Sequence, residues 1–194
     1  MKGKRLRRLA VYCGASMGSD PRFAEGARRL GERMAQRKVD LVYGGGHRGL
    51  MGVVADTVLA GGGRAYGVIP QALVDLEVAH RGLTELQIVT SMHERKAMMT
   101  ELADAFVAIP GGIGTLDELF EAWSWNALGY HAKPFALLNE HGFWDELIAF
   151  LDTATTSGFV SPARRAQLLI ARSPDEAIDL LAAACGGSEA KMVW

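Results

Sequence analysis

Apolar residues recur along this chain in two rhythms. Short, largely apolar runs at 6–13, 39–43, 64–69, 86–89, 105–109, 134–138 and 168–171 have the length and continuity of strands buried on both faces, as in a parallel sheet. Between them lie longer stretches with the 3.6-residue period of a helix. Residues 23–37 place Phe23, Ala27, Leu30 and Met34 on one face. Helices are also expected at 50–60, from about Ser91 onward, at 144–155 and at 174–184. Pro21 suits a helix start, Gly61 to Gly63 close the second helix, and Pro70 and Pro110 end strands. In residues 71–84 the pattern weakens to a loop or short helix. Strands alternating with helices predict an α/β fold, a mostly parallel sheet covered on both faces that binds ligands at the carboxyl ends of its strands.

Length changes this picture little: 194 residues suit one domain, expected at 1–185, with a flexible tail at 186–194. The near balance of 21 basic and 22 acidic side chains, net charge −1, argues against nucleic acid or a membrane as partner. Cys13 and Cys185 form neither a metal-binding spacing nor a disulfide framework, which points to the cytoplasm. The basic start followed by LAVYC imitates a signal segment, but its apolar part is short and bulky Tyr12 occupies the cleavage position. No run of about 18 apolar residues offers a membrane span. The 23 glycines cluster beside strands, where they suit ligand loops.

Residues 104–127 hold the densest chemistry. An apolar strand ends at Pro110, and Gly111, Gly112 and Gly114 then permit close approach of a ligand to the backbone. Thr115 is expected to cap the next helix, with Asp117 and Glu118 in its first turn. Strand, glycine loop and helix N-terminus together make an anion site, best matched to phosphate. A carboxylate beside a phosphate is repulsive unless it faces something electron-poor, so Glu118 is a catalytic candidate; the plainer reading is a first-turn residue matched to the helix dipole.

Other motifs are weighed against this one. Gly44, Gly46 and Gly49 satisfy the dinucleotide spacing, but no acidic residue ends the following strand, at Ile69 and Pro70. No ATP-type phosphate loop occurs. His47 and Arg48 either touch a ligand or simply close their loop. Arg95 and Lys96 open a helix on the same sheet edge as Pro110, and as neighbours they diverge by about 100°. Arginine is the better fork for a phosphate or for Glu118. His93 lacks a partner histidine at metal spacing, so no metal is expected. Leu116, Leu119, Phe120, Trp123, Trp125 and Leu128 leave the helix little polar surface, fitting core, a self-association face or a stack on a base.

Four motifs, Cys13-Gly14-Ala15-Ser16, Tyr43-Gly44-Gly45-Gly46 with Gly49-Leu50-Met51-Gly52, Met92-His93-Glu94-Arg95-Lys96 and Pro110-Gly111-Gly112-Ile113-Gly114-Thr115-Leu116-Asp117-Glu118, together resemble the LOG ("Lonely Guy") family over roughly residues 6–184. The resemblance implies a Rossmann-like three-layer α/β/α fold, a homodimer, and hydrolysis of cytokinin riboside 5′-monophosphates or AMP without a cofactor. It implies that Arg95 and Glu118 are catalytic and that Lys96, Gly111, Gly112, Ile113, Gly114 and Thr115 bind the nucleotide, with Glu77 and Ser124 as further contacts. Ala15 and Asp117 depart from the residues common in the family without removing a charge. The "lysine decarboxylase" label that many members carry does not suit so short a chain.

Overall fold

The computed structural model describes residues 5–76 and 78–187. Seven strands, β1 (Arg8–Tyr12), β2 (Asp40–Tyr43), β3 (Ala65–Pro70), β4 (Glu85–Val89), β5 (Ala105–Ala108), β6 (Phe135–Leu138) and β7 (Leu168–Ala171), form one sheet in the order β4-β3-β2-β1-β5-β6-β7. Every pairing is parallel, with Ala10 opposite Val42 on one side of β1 and Phe106 on the other. Among the described residues eight α-helices accompany it: α1 (Pro21–Arg37), α2 (Gly49–Ala60), α3 (Gln71–Asp75), α4 (Met92–Leu102), α5 (Ile113–Ala127), α6 (Asp145–Thr156), α7 (Pro162–Arg165) and α8 (Pro174–Gly187).

Alternation along the strands divides the core into two layers. Leu9 and Val11 of β1, with Val107 of β5, pack under α1, α2 and α8 through Leu30, Val54 and Ile178. Ala10, Tyr12 and Phe106 face the other way and meet Met99 of α4, Leu119 and Trp123 of α5 and Leu151 of α6. This is the three-layer α/β/α arrangement. Short side chains set its closest approaches: a Cβ on Gly31 of α1 would lie 2.8 Å from the Thr57 side chain of α2.

The expected strands are all present, and α1 begins as its sequence suggests, with Asp20 accepting from the Arg22 amide at 2.9 Å and Pro21 in the first turn. One expectation is corrected. The helix after the glycine loop starts at Ile113 with Gly112 at its N-cap, so Thr115 does not cap it. Its first turn holds no acidic residue, and Asp117 and Glu118 fall in the second. The dipole-matching reading of Glu118 therefore loses its basis, because that effect fades within one turn. Helix α8 runs to Gly187, past the expected domain end at 185; residues 188–194 and Glu77 lie outside the described residues. Among the described residues no helix is long and apolar enough to cross a membrane.

Candidate active site

The chain leaves β1, winds outward through β2 and β3 to β4, and returns to β5 on the other side of β1. Loops above β1 and β5 therefore turn apart, which leaves a crevice at the carboxyl edge of the sheet. Three loops are locked there by backbone contact. The Gly14 amide donates to the Pro110 carbonyl (3.0 Å), and the Leu50 amide donates to the Gly14 carbonyl (3.0 Å). Gly49, at φ +61°, passes so close to Ala15 that a Cβ would sit 2.3 Å from its carbonyl carbon. At Gly111 a Cβ would fall 2.1 Å from Thr115 Oγ1 and 2.8 Å from the Gly14 amide nitrogen, so the buried Thr115 hydroxyl folds back over its own loop.

Gly112 and Gly114 differ, since a Cβ on either would meet nothing within 4 Å. They face open space at the start of α5. No side chain caps this helix, and its first intrahelical bond runs from the Leu116 amide to the Gly112 carbonyl (3.1 Å). The amides of Ile113, Gly114 and Thr115 precede that bond, which makes this helix end a ready anion cradle.

Beside the cradle lies a buried ion pair. Ser91 caps α4 by accepting from the Glu94 amide (3.1 Å), while Glu94 reaches back to the Thr90 amide (2.8 Å) and hydroxyl (2.7 Å). The reciprocal cap fixes where α4 begins. One turn in, the Arg95 side chain runs inward, with Nε donating to the Val68 carbonyl of β3 (3.1 Å) and Nη1 lying 2.9 Å from Glu118 Oε1. Its third nitrogen, Nη2, lies against Gly44, where a Cβ would come within 1.8 Å. Arg95 is 8% exposed and Glu118 9%.

Burial pushes the Glu118 carboxyl above the usual carboxylate range and Asp117 adds to this, while Arg95 and Lys96 pull it down without winning. Beneath it, burial and the nearby Glu118 charge raise both the Tyr12 phenol and the Cys13 thiol, so both keep their protons. The buried charges of the crevice are thus the Glu118 carboxyl and the Arg95 guanidinium, with Asp117 and Lys96 acting on Glu118 from the same neighbourhood.

The structure brings Arg95, Glu118 and the 111–115 loop to one place. Lys96 reaches the same helix at different acids, 3.1 Å from Asp117 Oδ2 and 2.5 Å from Glu121 Oε2, the divergence expected of adjacent residues. Burial works against its charge, but those two acids outweigh it and hold the ammonium above its ordinary value. Ser124 is not brought to Glu118. It is exposed on the wall of a cavity of about 230 Å³ shared with Trp123, Leu151 and Phe159. His93 meets Trp125 edge-on (6.1 Å) at a second cavity, of about 540 Å³, also lined by Tyr130 and His131. Trp123 is core, packed on Phe135. His47 closes its loop, its amide donating to the Val78 carbonyl (2.9 Å). Sequence reasoning missed the parts played by Gly44 and the Val68 carbonyl; the first stood inside a glycine motif already noted, and the second, a backbone atom, leaves no sequence signal.

A family model described as "possible lysine decarboxylase" matches residues 51–181. A probable cytokinin riboside 5′-monophosphate phosphoribohydrolase of Oryza sativa subsp. japonica is 51% identical over 161 residues, covering 83% of this chain and 71% of the relative. A cytokinin riboside 5′-monophosphate phosphoribohydrolase of Rhodococcoides fascians is 43% identical over 171 residues, 88% of this chain and 86% of that one. Among solved structures, the molybdenum cofactor carrier protein of Chlamydomonas reinhardtii superposes with a TM-score of 0.71 at 19% identity, over 94% of this chain and 100% of its own, a likeness of fold alone.

Proposed function

The chain belongs to the LOG family of cytokinin riboside 5′-monophosphate phosphoribohydrolases, and from that premise we propose that it hydrolyses the N-glycosidic bond of purine nucleoside 5′-monophosphates, releasing free base and ribose 5-phosphate. The observation that carries the reading is the buried Arg95–Glu118 pair beside an uncapped helix N-terminus.

In this mechanism the amides at the start of α5, with Gly111, Gly112, Ile113, Gly114 and Thr115, grip the 5′-phosphate. Binding energy from that handle aligns the sugar. As the bond between C1′ and the base nitrogen breaks, its electron pair leaves with the base, which takes up a proton, and the sugar approaches an oxocarbenium ion. The Glu118 carboxylate stabilises that charge or positions the water that adds to C1′. Arg95 holds the carboxylate in place. Lys96, already clasped by Asp117 and Glu121, adds positive charge near the nucleotide. The same clasp argues against decarboxylation through a lysine Schiff base, which needs a neutral amine, whereas Lys96 is held protonated.

Incubation with AMP should release adenine and ribose 5-phosphate, and Glu118→Gln should lower kcat by about 100-fold or more while leaving the fold intact. Binding of AMP without release of base would point instead to a nucleotide-binding module. Full activity in Glu118→Gln would eliminate the proposed chemistry.

Two further features belong to this reading. A second copy of the chain covers the face that carries Trp125, Leu128 and Tyr130, the last 75% exposed beside the larger cavity. The protein works in a reducing cytoplasm, where Cys13 and Cys185, both buried and not joined in a disulfide, stay as thiols; cell fractionation checks this.

A further inference from the structure

Gly44 follows β2 directly and opens the Gly44-Gly45-Gly46 run, which the mechanism leaves without a role. Its neighbour Gly45, at φ +73°, needs glycine for its backbone; Gly44 does not, since its φ is not in the left-handed region. Space alone excludes a side chain there. The three atoms nearest to a Cβ at position 44 all belong to Arg95: Nη2 at 1.8 Å, Cζ at 3.0 Å and Nε at 3.4 Å.

Each nitrogen of that guanidinium therefore has its own neighbour. Nε donates to the Val68 carbonyl, Nη1 meets Glu118, and Nη2 rests on the bare α-carbon side of Gly44. A planar fork held at two points can still tilt, and contact along its third arm fixes the plane.

We propose that Gly44 is a positioning residue: with the Val68 carbonyl it forms the seat that aims the Arg95 guanidinium at Glu118, and through Arg95 it sets how the sugar-facing carboxylate is held. The proposal rests on the nucleotide-hydrolysing reading and adds to it a residue that touches no substrate. An alanine at 44 is compatible with the backbone, and what must yield is the tip of a long side chain. To restore ordinary contact the tip moves by about 1.5 Å. Misplacement on that scale costs about 100-fold in rate.

The test compares wild type, Gly44→Ala, Arg95→Ala and the double variant. Gly44→Ala should melt near the wild-type temperature, lose about 100-fold in kcat on AMP with little change in KM, and move the acid limb of its pH profile upward. That limb reports Glu118, which faces Arg95 and Lys96 on α4, Asp117 on its own helix, Tyr12 at the end of β1 and Cys13 just after it. In the Arg95→Ala background, Gly44→Ala should have no further effect, because nothing is left to displace. Wild-type kcat and pH limb in Gly44→Ala would overturn the proposal. So would an undiminished effect on top of Arg95→Ala. If Gly44→Ala fails to fold, the double variant decides by comparison with Arg95→Ala alone: it matches the stability of Arg95→Ala when Arg95 is the obstacle, and a double variant less stable than Arg95→Ala rejects the seat. Should the wild type release no adenine, the functional reading falls, yet the seat stays testable. NMR titration of glutamate carboxyls needs no substrate, and an unmoved Glu118 in Gly44→Ala would end the idea.

Discussion

Arg95→Ala leaves Glu118 buried and takes away the charged donor 2.9 Å from its oxygen. Two unit charges about 4 Å apart, at an effective dielectric constant of about 20, attract by about 4 kcal/mol. Breaking a buried pair by removing one member costs about 3–5 kcal/mol, because the remaining charge is uncompensated. The two figures agree, and against a total stability of about 5–15 kcal/mol the loss is large. It should also depend on pH, since an orphaned carboxyl escapes the penalty by taking up a proton. Urea unfolding followed by the fluorescence of buried Trp123 and Trp144 should give a difference of about 3–5 kcal/mol near neutrality that shrinks as the pH falls. Arg95→Ala combined with Glu118→Gln should recover a good part of it. A loss below about 1 kcal/mol, flat with pH, is what an exposed surface pair would give. That outcome would refute the claim that a desolvated charge pair shapes the crevice.

Three more expectations follow, two from the same carboxyl and one from the exposed aromatic face. The carboxyl of Glu118 is raised by burial, so kcat/KM on AMP should fall on acidification at a pH above that of an ordinary glutamate. For stability the sign is opposite: a raised group favours folding below its unfolded pKa, and that contribution is lost as the pH rises through the folded value. A Glu118→Gln variant should lack this slope in an unfolding series; a slope unchanged from wild type would assign it to another group. Sedimentation equilibrium should give twice the 20.9 kDa chain mass, and Tyr130→Glu should return the monomer, while a monomeric wild type would reject the docking face.

Much of the fold was legible because its strands are buried on both sides and read as apolar runs, as Ala105 to Ala108 do. The start of α5 was not legible. Thr115 looks like a cap by residue type, but the loop packs Gly111 against Gly14 and turns the Thr115 hydroxyl back over it, so the helix begins earlier at a glycine with no side chain to signal it. The short helices α3 and α7 carry too few residues for a period to show. The shared sheet edge of Arg95 and Glu118 hinted at their meeting. Their contact depends on how α4 lies across the sheet, a long-range matter that local pattern does not encode. Ser124 shows the reverse limit: a role carried over by resemblance says nothing of which wall the residue stands on, and within one chain that wall is the cavity it shares with Trp123 and Phe159.

The strand order has an outcome for how the chain matures. Arg95 is delivered by the winding that runs outward from β1 to β4, and Glu118 by the winding that starts again at β5. The earlier winding by itself supplies the Val68 carbonyl that Arg95 donates to but not the carboxylate that answers its charge. The ion pair is therefore a certificate that both limbs have docked, since neither limb alone contains both of its members.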